Sequence, residues 1–407
     1  MKYNYSNISH FLKQDECCGC MTCLDACKFN ALSYYIDKNG FIAINLNKEN
    51  CINCKMCVRS CPGINPPQLS NNFSLSSPYG AWNKNLSQRE KSSSGGVFIA
   101  LATTFINEHS GVVYGAAIDG FDIKHIRVDK TEDLWKLQGS KYQHSISKGI
   151  YQSVQSDLLA GKKVLFSGLG CQINGLYLFL RKIPTQNLYT IDTICGGLST
   201  LLPMLNLKNT GNYRAIKSFR DKENGWKSIG YQYCLKMFNQ EGKEVNLGQD
   251  NLVLKSFSSA ILKRNSCLNC KFIGLHRKSD CTIGDFWKDE QFKSQHYNGL
   301  SVIITHNSRL DFLLKSRNIN CQKTKWENIM RGNPNLYCAN KKIIRKFISR
   351  KLALWSIRHN LPENFIKKLI GYDSLYAIEL KVFNRIIDKL NTKAYQFIIN
   401  QIKEQRN

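Results

Sequence analysis

Acidic residues are scarce in this chain of 407 residues: 30 Asp and Glu stand against 57 Lys and Arg, a formal charge of +27. No apolar run approaches the roughly 18 residues that a spanning helix needs. The opening MKYNYSNISHFLK also lacks the continuous apolar stretch of a secretory signal. These absences predict a cytoplasmic protein without a transmembrane segment. No helix-turn-helix, zinc-finger or RNA-binding signature accompanies the positive charge, and the lysines are spread along the whole chain, so nucleic acid is not expected. A composition bias towards Lys, Asn and Ile accounts for part of the charge. The rest reads as a basic surface for an acidic partner or a phosphorylated ligand. No Gly-x-Gly-x-x-Gly fingerprint follows a strand pattern, which excludes a standard dinucleotide fold.

Cysteine, by contrast, is abundant. With 17 cysteines and 43% hydrophobic residues, the chain is long enough for two or three domains with a sizeable core. In a reducing compartment such thiols serve as metal ligands or catalytic groups rather than disulfides. Cys17, Cys20, Cys23 and Cys27 form C-x2-C-x2-C-x3-C; Cys51, Cys54, Cys57 and Cys61 repeat it, followed by Pro62. This is the bacterial ferredoxin run, in which the fourth cysteine of each set crosses to the other cluster. One 4Fe–4S cluster is therefore expected on Cys17, Cys20, Cys23 and Cys61, and a second on Cys51, Cys54, Cys57 and Cys27. Zinc more often takes paired C-x2-C units at separate sites. Cys18 falls outside the spacing and is not expected to be a ligand. LSYYIDKNGFIAI, between the runs, alternates around Asn-Gly, a hairpin signal.

Beyond Cys61, PGINPPQLSNNFSLSSP reads as a linker. SSSGGVFIALATTFINE is a polar turn opening an apolar helix near Gly96. GVVYGAAI, KVLFSG and NLYTID read as strands; KGIYQSVQSDLLAGK and INGLYLFLRK read as helices. This alternation predicts an α/β core with a partly parallel sheet, whose strand-end loops present ligands. KKIIRKFISRKLALWSIRHNL and YQFIINQIKEQRN predict a basic helical extension packed on the body or on a partner. The expected organisation is a ferredoxin-type domain over 1–66, a linker over 67–80, an α/β core divided into 81–150 and 151–335, and the extension over 336–407.

The two cysteine runs, SSSGGVF, VVYGAA, LQGSKYQHS, GKKVLFSGLGCQINGL, IDTICGG, FRDKENGW and CLNCKFIGLHRKSDCTIGDFW follow one another from Cys17 to about Trp287. In these blocks the chain resembles the coenzyme F-420 hydrogenase/dehydrogenase beta-subunit family of flavin- and iron–sulfur-containing oxidoreductases. The resemblance implies an FAD-binding α/β core that passes electrons between clusters and a hydride donor or acceptor. That partner would be a redox protein or a small-molecule hydride carrier such as a deazaflavin. Bacterial relatives often accompany polysaccharide-synthesis enzymes, which makes those enzymes expected partners. Two departures stand out. GLGCQ replaces Gly-Thr-Pro-Cys-Gln, and CGG at Cys195 to Gly197 replaces Cys-His-Gly, removing a histidine at Gly196.

Cys267, Cys270 and Cys281 lie close together in sequence and need a fourth thiolate. Cys171, in the loop after KVLFS, is the first choice and Cys195 the second. Thiolates bind iron and zinc alike; beside two clusters and a flavin, a third 4Fe–4S centre is the more economical reading, with structural zinc the alternative. For the flavin, Ser93, Ser94, Gly95 and Gly96 are the expected phosphate donors, Lys141 the expected neighbour of the ring and Tyr142 a stacking partner. Lys141 and Cys195 are the catalytic candidates. Arg220 and Lys222 are candidates for an acidic substrate group, against a surface ion pair with Asp221; Asp280 and Asp285 are read as orienting Arg277 or capping the following turn. A non-catalytic electron-transfer subunit of a larger redox complex is the competing function.

Overall fold

A computed structural model describes residues 16–67, 76–223, 225–226, 233–337 and 347–370 of the chain. Most of the linker, parts of the basic tail and Cys338 lie outside the described residues.

The first strands, β1 (Leu32–Ile36) and β2 (Ile42–Leu46), form the expected hairpin, paired antiparallel from Leu32↔Leu46 to Ile36↔Ile42. Asp37 closes its turn: Oδ1 accepts from Asn39 N at 2.8 Å and Phe41 N at 2.9 Å. Gly40, at φ 76°, supplies the left-handed residue that the turn requires. Two four-residue helices, Thr22–Asp25 and Met56–Arg59, carry the middle of each cysteine run.

The body is built on one mixed sheet. Its strands are β3 (Ser77–Asn83), β4 (Val112–Asp119), β5 (Asp122–Val128), β6 (Ser145–Ile146), β7 (Val164–Gly168) and β8 (Leu188–Thr193). A separate antiparallel sheet of β9 (Tyr213–Arg220), β10 (Tyr233–Asn239) and β11 (Glu244–Asn246) intervenes before β12 (Cys281–Asp285), β13 (Ser301–Thr305) and β14 (Ile319–Lys323). The nine-stranded order is β14-β3-β13-β12-β8-β7-β4-β5-β6. Its centre, β4-β7-β8-β12, is parallel. Both faces of these strands are covered, so they read as continuous apolar runs rather than alternating ones. Val113, Leu165 and Ile191 pack on one face with Leu101 and Phe105 of α1 (Val97–His109). Tyr114, Phe166 and Leu188 pack on the other with Val154 of α2 (Ile150–Leu159) and Ile173 of α3 (Gly170–Phe179). The result is the expected mixed α/β architecture.

Two expectations about organisation are adjusted. Ser77–Gly80, placed in the linker, begins strand β3 inside the sheet. The stretches divided at residue 150 share that one sheet. The extension packs on the body: Ala353, Leu354 and Ile357 of α4 (Phe347–Arg358) meet Leu202 and Leu262, as does Ile366 of α5 (Glu363–Ile370). Among the described residues no helix is long and apolar enough to cross a membrane.

The N-terminal segment is bound tightly to this body. Asp25 accepts from Gly149 N at 2.6 Å and Tyr151 N at 3.0 Å, capping α2 from across the junction. Arg264 donates from Nε to Cys17 O at 2.5 Å and from Nη2 to Ile42 O at 2.6 Å. Tyr151 and Ser147 donate their hydroxyls to Cys20 O at 2.7 and 2.9 Å. Gly175 on α3 has no room for a side chain, because a Cβ there would stand 2.2 Å from Thr22 Oγ1 and 3.5 Å from Cys20 Sγ.

Candidate functional site

Three groups of cysteines adjoin one another in succession, the last of them beside one large cavity. The outermost is Cys27, Cys51, Cys54 and Cys57, which together line a small pocket with Phe29, Leu32 and Ile52. These are the four thiols that crossed ligation assigns to one cluster. The next group is Cys17, Cys20, Cys23 and Cys61. Burial, followed by the nearness of Cys17, Cys20 and Cys61, raises the Cys23 thiol well above its ordinary value. Burial and then Cys20 push Cys61 up to about 12. Thiols this reluctant to ionise become thiolates when a metal takes the place of the proton. Gly19 N donates to Cys17 Sγ at 3.3 Å, and Thr22 Oγ1 lies 3.2 Å from Cys20 Sγ. Contacts of this kind tune ligand sulfurs in iron–sulfur centres.

The third group differs from expectation in one member. Cys171 lies in the first turn of α3 rather than in a loop, because that helix begins at Gly170, directly after β7. Cys195 follows β8 by two residues. Cys171 is close to Cys20, Cys270 and Cys195, and Cys195 is close to Cys267 and Cys270. Gly197 N donates to Cys195 Sγ at 3.3 Å and Leu198 N to Cys267 Sγ at 3.4 Å. Cys281 does not join them. It starts β12 level with Ile191, in the middle of the sheet, and is fully buried in the apolar core beneath α1. Cys195, the second choice from sequence, stands where Cys281 was expected. Among the described residues no three His, Cys, Asp or Glu side chains are drawn together tightly enough for a single metal ion.

Cys18, outside the ferredoxin spacing, lies between the second and third groups. Buried, it packs with Cys20, Cys171, Phe272 and Cys270. The doubled cysteine in CCGC is the only sequence signal of this role. Cys234 donates to Asn246 Oδ1 at 2.9 Å and Cys321 is half-buried on β14, both away from the three groups.

The cavity has a volume of about 630 Å³ and is lined by the ends of β7 and β8 and by Gly115 and Ala116 in the middle of β4; strand ends are where open α/β sheets commonly hold ligands. Ser93, Ser94, Gly96, Lys141, Tyr142 and Cys195 all line it, joined by His125, Lys263, Asp285 and Trp287. Lys141 Nζ donates to Leu137 O at 2.8 Å and Gln138 O at 2.9 Å, and burial lowers its ammonium to about 7. Tyr142 stacks on Phe257 with centroids 4.0 Å apart. Ser93 Oγ accepts from Ser140 N at 2.6 Å, tying the SSSGG turn to the GSKY segment. The other turn residues are partly committed elsewhere. Ser94 donates to Leu300 O at 2.6 Å and Gly95 N to Ser301 Oγ at 2.9 Å. Gly95 is glycine because a Cβ would stand 2.6 Å from Ala81 O.

Several basic groups take partners other than those expected. Lys222 Nζ donates to Arg89 O, Ser94 O and Asn298 O, so it holds the turn in place. Arg220 pairs with Asp285 at 2.9 Å rather than with Asp221, and lies over Trp287. Arg277 is held by Asp192 at 3.0 Å, while Asp280 accepts from Thr190 N at 2.7 Å.

His125 is a residue that the sequence does not single out. Its Nε2 donates to Ser167 O at 3.2 Å, because a carbonyl only accepts; Nδ1 is therefore an acceptor, buried and without a partner among the described residues. Burial lowers this imidazole to about 4, which keeps it neutral. Gln143 Nε2, on another residue of the cavity wall, is a donor in the same condition. Lys263 lies over Phe257 at 4.1 Å and donates to Gly197 O at 3.1 Å, next to Cys195.

Residues 16–63 match the 4Fe–4S dicluster domain, and residues 161–326 match the family described as the C terminus of the coenzyme F-420 hydrogenase/dehydrogenase beta subunit. Among solved structures, a chain of the F-420-reducing [NiFe] hydrogenase complex from Methanosarcina barkeri, studied by xenon derivatization, is similar at 14% identity and a TM-score of 0.43. The match covers 71% of this chain and 96% of that one. No curated protein matches. A two-cluster segment joined to this family marks an iron–sulfur chain of oxidoreductase type. Residues 161–326 belong to the coenzyme F-420 hydrogenase/dehydrogenase beta-subunit family, and residues 16–63 form its attached 4Fe–4S dicluster domain.

Proposed function

We propose that the chain is an iron–sulfur flavoprotein oxidoreductase that moves electrons between its 4Fe–4S clusters and FAD in the cavity, with hydride exchanged there with a substrate or deazaflavin-like carrier. The observation that carries this reading is the line of cysteines. Cys18 and Cys171 touch across the junction, and Cys195 lines the cavity itself. A third 4Fe–4S centre on Cys171, Cys195, Cys267 and Cys270 would bridge the ferredoxin pair and the flavin.

The lining fits such a cofactor. The volume lies within the ordinary range for ligand sites, and its wall holds two unpartnered buried polar atoms, the acceptor His125 Nδ1 and the donor Gln143 Nε2. When bound, FAD supplies the interconversion between one-electron and two-electron chemistry. The chain does the rest. Ser93 and the first turn of α1 face the cavity as donors for phosphate. Lys141 sets a cation beside the ring, and the Tyr142–Phe257 stack closes one wall. With no histidine at Gly196, the proton-handling groups on the wall include Lys141, Lys263 and the neutral His125.

The test is anaerobic purification with iron, sulfide, zinc and flavin quantified. About twelve irons and one FAD per chain are expected, four irons for each cubane. Zinc on the third group, or purified protein that takes up no FAD, would refute the reading.

A further inference from the structure

The ferredoxin-type segment has two unlike sides. One is tied to the body through Asp25, Cys17, Gly19 and Cys20. The other carries the pocket of Cys27, Cys51, Cys54 and Cys57, and it ends in solvent. Phe29 and Ile52 line that pocket yet are 42% and 60% exposed. Lys55 lines the pocket as well and is exposed, as is Lys28. Arg59, also exposed, reaches over to donate from Nη2 to Cys54 O at 3.1 Å. Glu49 is the only acidic residue between Asn47 and Arg59. Cys51 and Cys54 are themselves half-buried, and no cysteine of this group lines the cavity.

A wire of clusters needs an outer end. An apolar pair ringed by cations is suited to brief docking: the cations steer an oppositely charged partner and the apolar contact holds it. Redox encounters use small faces of this kind. We propose that Lys28, Phe29, Ile52, Lys55 and Arg59 form the docking face for a small acidic electron-carrier protein of ferredoxin type. This deepens the function proposed above and rests on it for the presence of a cluster on Cys27, Cys51, Cys54 and Cys57. On docking, one electron leaves the reduced cluster of the carrier, which is oxidised by one unit. It enters the outer cluster of this protein, which is reduced by one; no bond forms and no proton moves.

The test is stopped-flow reduction of the holoprotein by a pre-reduced acidic 2Fe–2S ferredoxin, followed by cluster absorbance across ionic strength. The triple variant Lys28→Glu, Lys55→Glu, Arg59→Glu should react at least ~10-fold more slowly at low salt and lose its salt dependence. The variant Lys315→Glu, Lys323→Glu, Lys325→Glu carries the same change of net charge on and beside β14 and should react within about 3-fold of the parent. Ile52→Ser should slow the reaction without altering its salt dependence. Dithionite should reduce all four proteins to the same extent, and all should hold the same iron. Wild-type rates in the first triple variant with iron intact would overturn the docking face alone. Equal slowing in both triple variants would overturn it as well, by showing that only net charge matters. Outer cysteines that bind no iron would overturn the cluster reading and the docking face with it.

Discussion

Removing the Asp25 carboxylate should loosen the junction on which the relay depends. Asp25 belongs to the first cysteine run, yet its two oxygens accept from Gly149 N and Tyr151 N at the start of α2. Asp25→Ala leaves both amides without that acceptor. Loss of a helix cap costs about 1–2 kcal/mol, and loss of a negative charge at a helix N-terminus a further ~0.3–1 kcal/mol. About 2 kcal/mol in total is expected, or roughly 30-fold in the equilibrium that keeps the segment docked. Asp25→Asn keeps one oxygen as acceptor and should cost about half as much. Chemical denaturation measures the stability, and hydrogen exchange at the first amides of α2 measures the local opening. In the alanine variant both should weaken, and electron passage from the ferredoxin clusters to the cavity should slow with them. A variant within about 0.5 kcal/mol of the parent, with unchanged exchange at α2, would refute the reasoning.

The remaining predictions concern the cysteines and the cavity wall. Cys195→Ser should lose about four irons per chain, whereas Cys281→Ala should keep all its iron and cost only ~1–2 kcal/mol of stability as a core truncation; the opposite pattern would restore Cys281 as a ligand. Burial holds the Lys141 ammonium near 7, so the lysine gains its proton as pH falls through that value. Its charge favours anions on the acid side, so FAD affinity should fall about 3–10-fold from pH 6 to pH 8. Lys141→Met should flatten that dependence, and an unchanged profile would remove Lys141 from the binding site. His125→Leu removes the unpartnered acceptor and should lower flavin occupancy while leaving iron content intact; full occupancy would show that Nδ1 meets no ligand.

Much of the layout is legible in the sequence because its signals are local. The cysteine spacing points to crossed ligation, and Cys27 lines one pocket with Cys51, Cys54 and Cys57. Strands buried on both faces and the glycine-led helix α1 are equally readable. What spacing does not report is register. Cys281 and Cys195 are both near strand ends in sequence, but only pairing with Ile191 shows that Cys281 sits mid-sheet. Cys18 escapes the spacing argument because its partner, Cys171, lies on another element altogether. His125 gives no sequence signal. Its character comes from a carbonyl on β7 that takes one ring nitrogen and leaves the other without a partner, enclosed in the cavity wall.

The central claim is that three clusters and a flavin form one connected relay, and an anaerobic reductive titration followed by visible and electron paramagnetic resonance spectra tests it most directly. The account predicts about five electrons per chain, one for each of three cubanes and two for the flavin, with the cysteine groups and the cavity filled from a single reductant. Uptake of about two electrons, with no flavin signal and no third cluster, would contradict it.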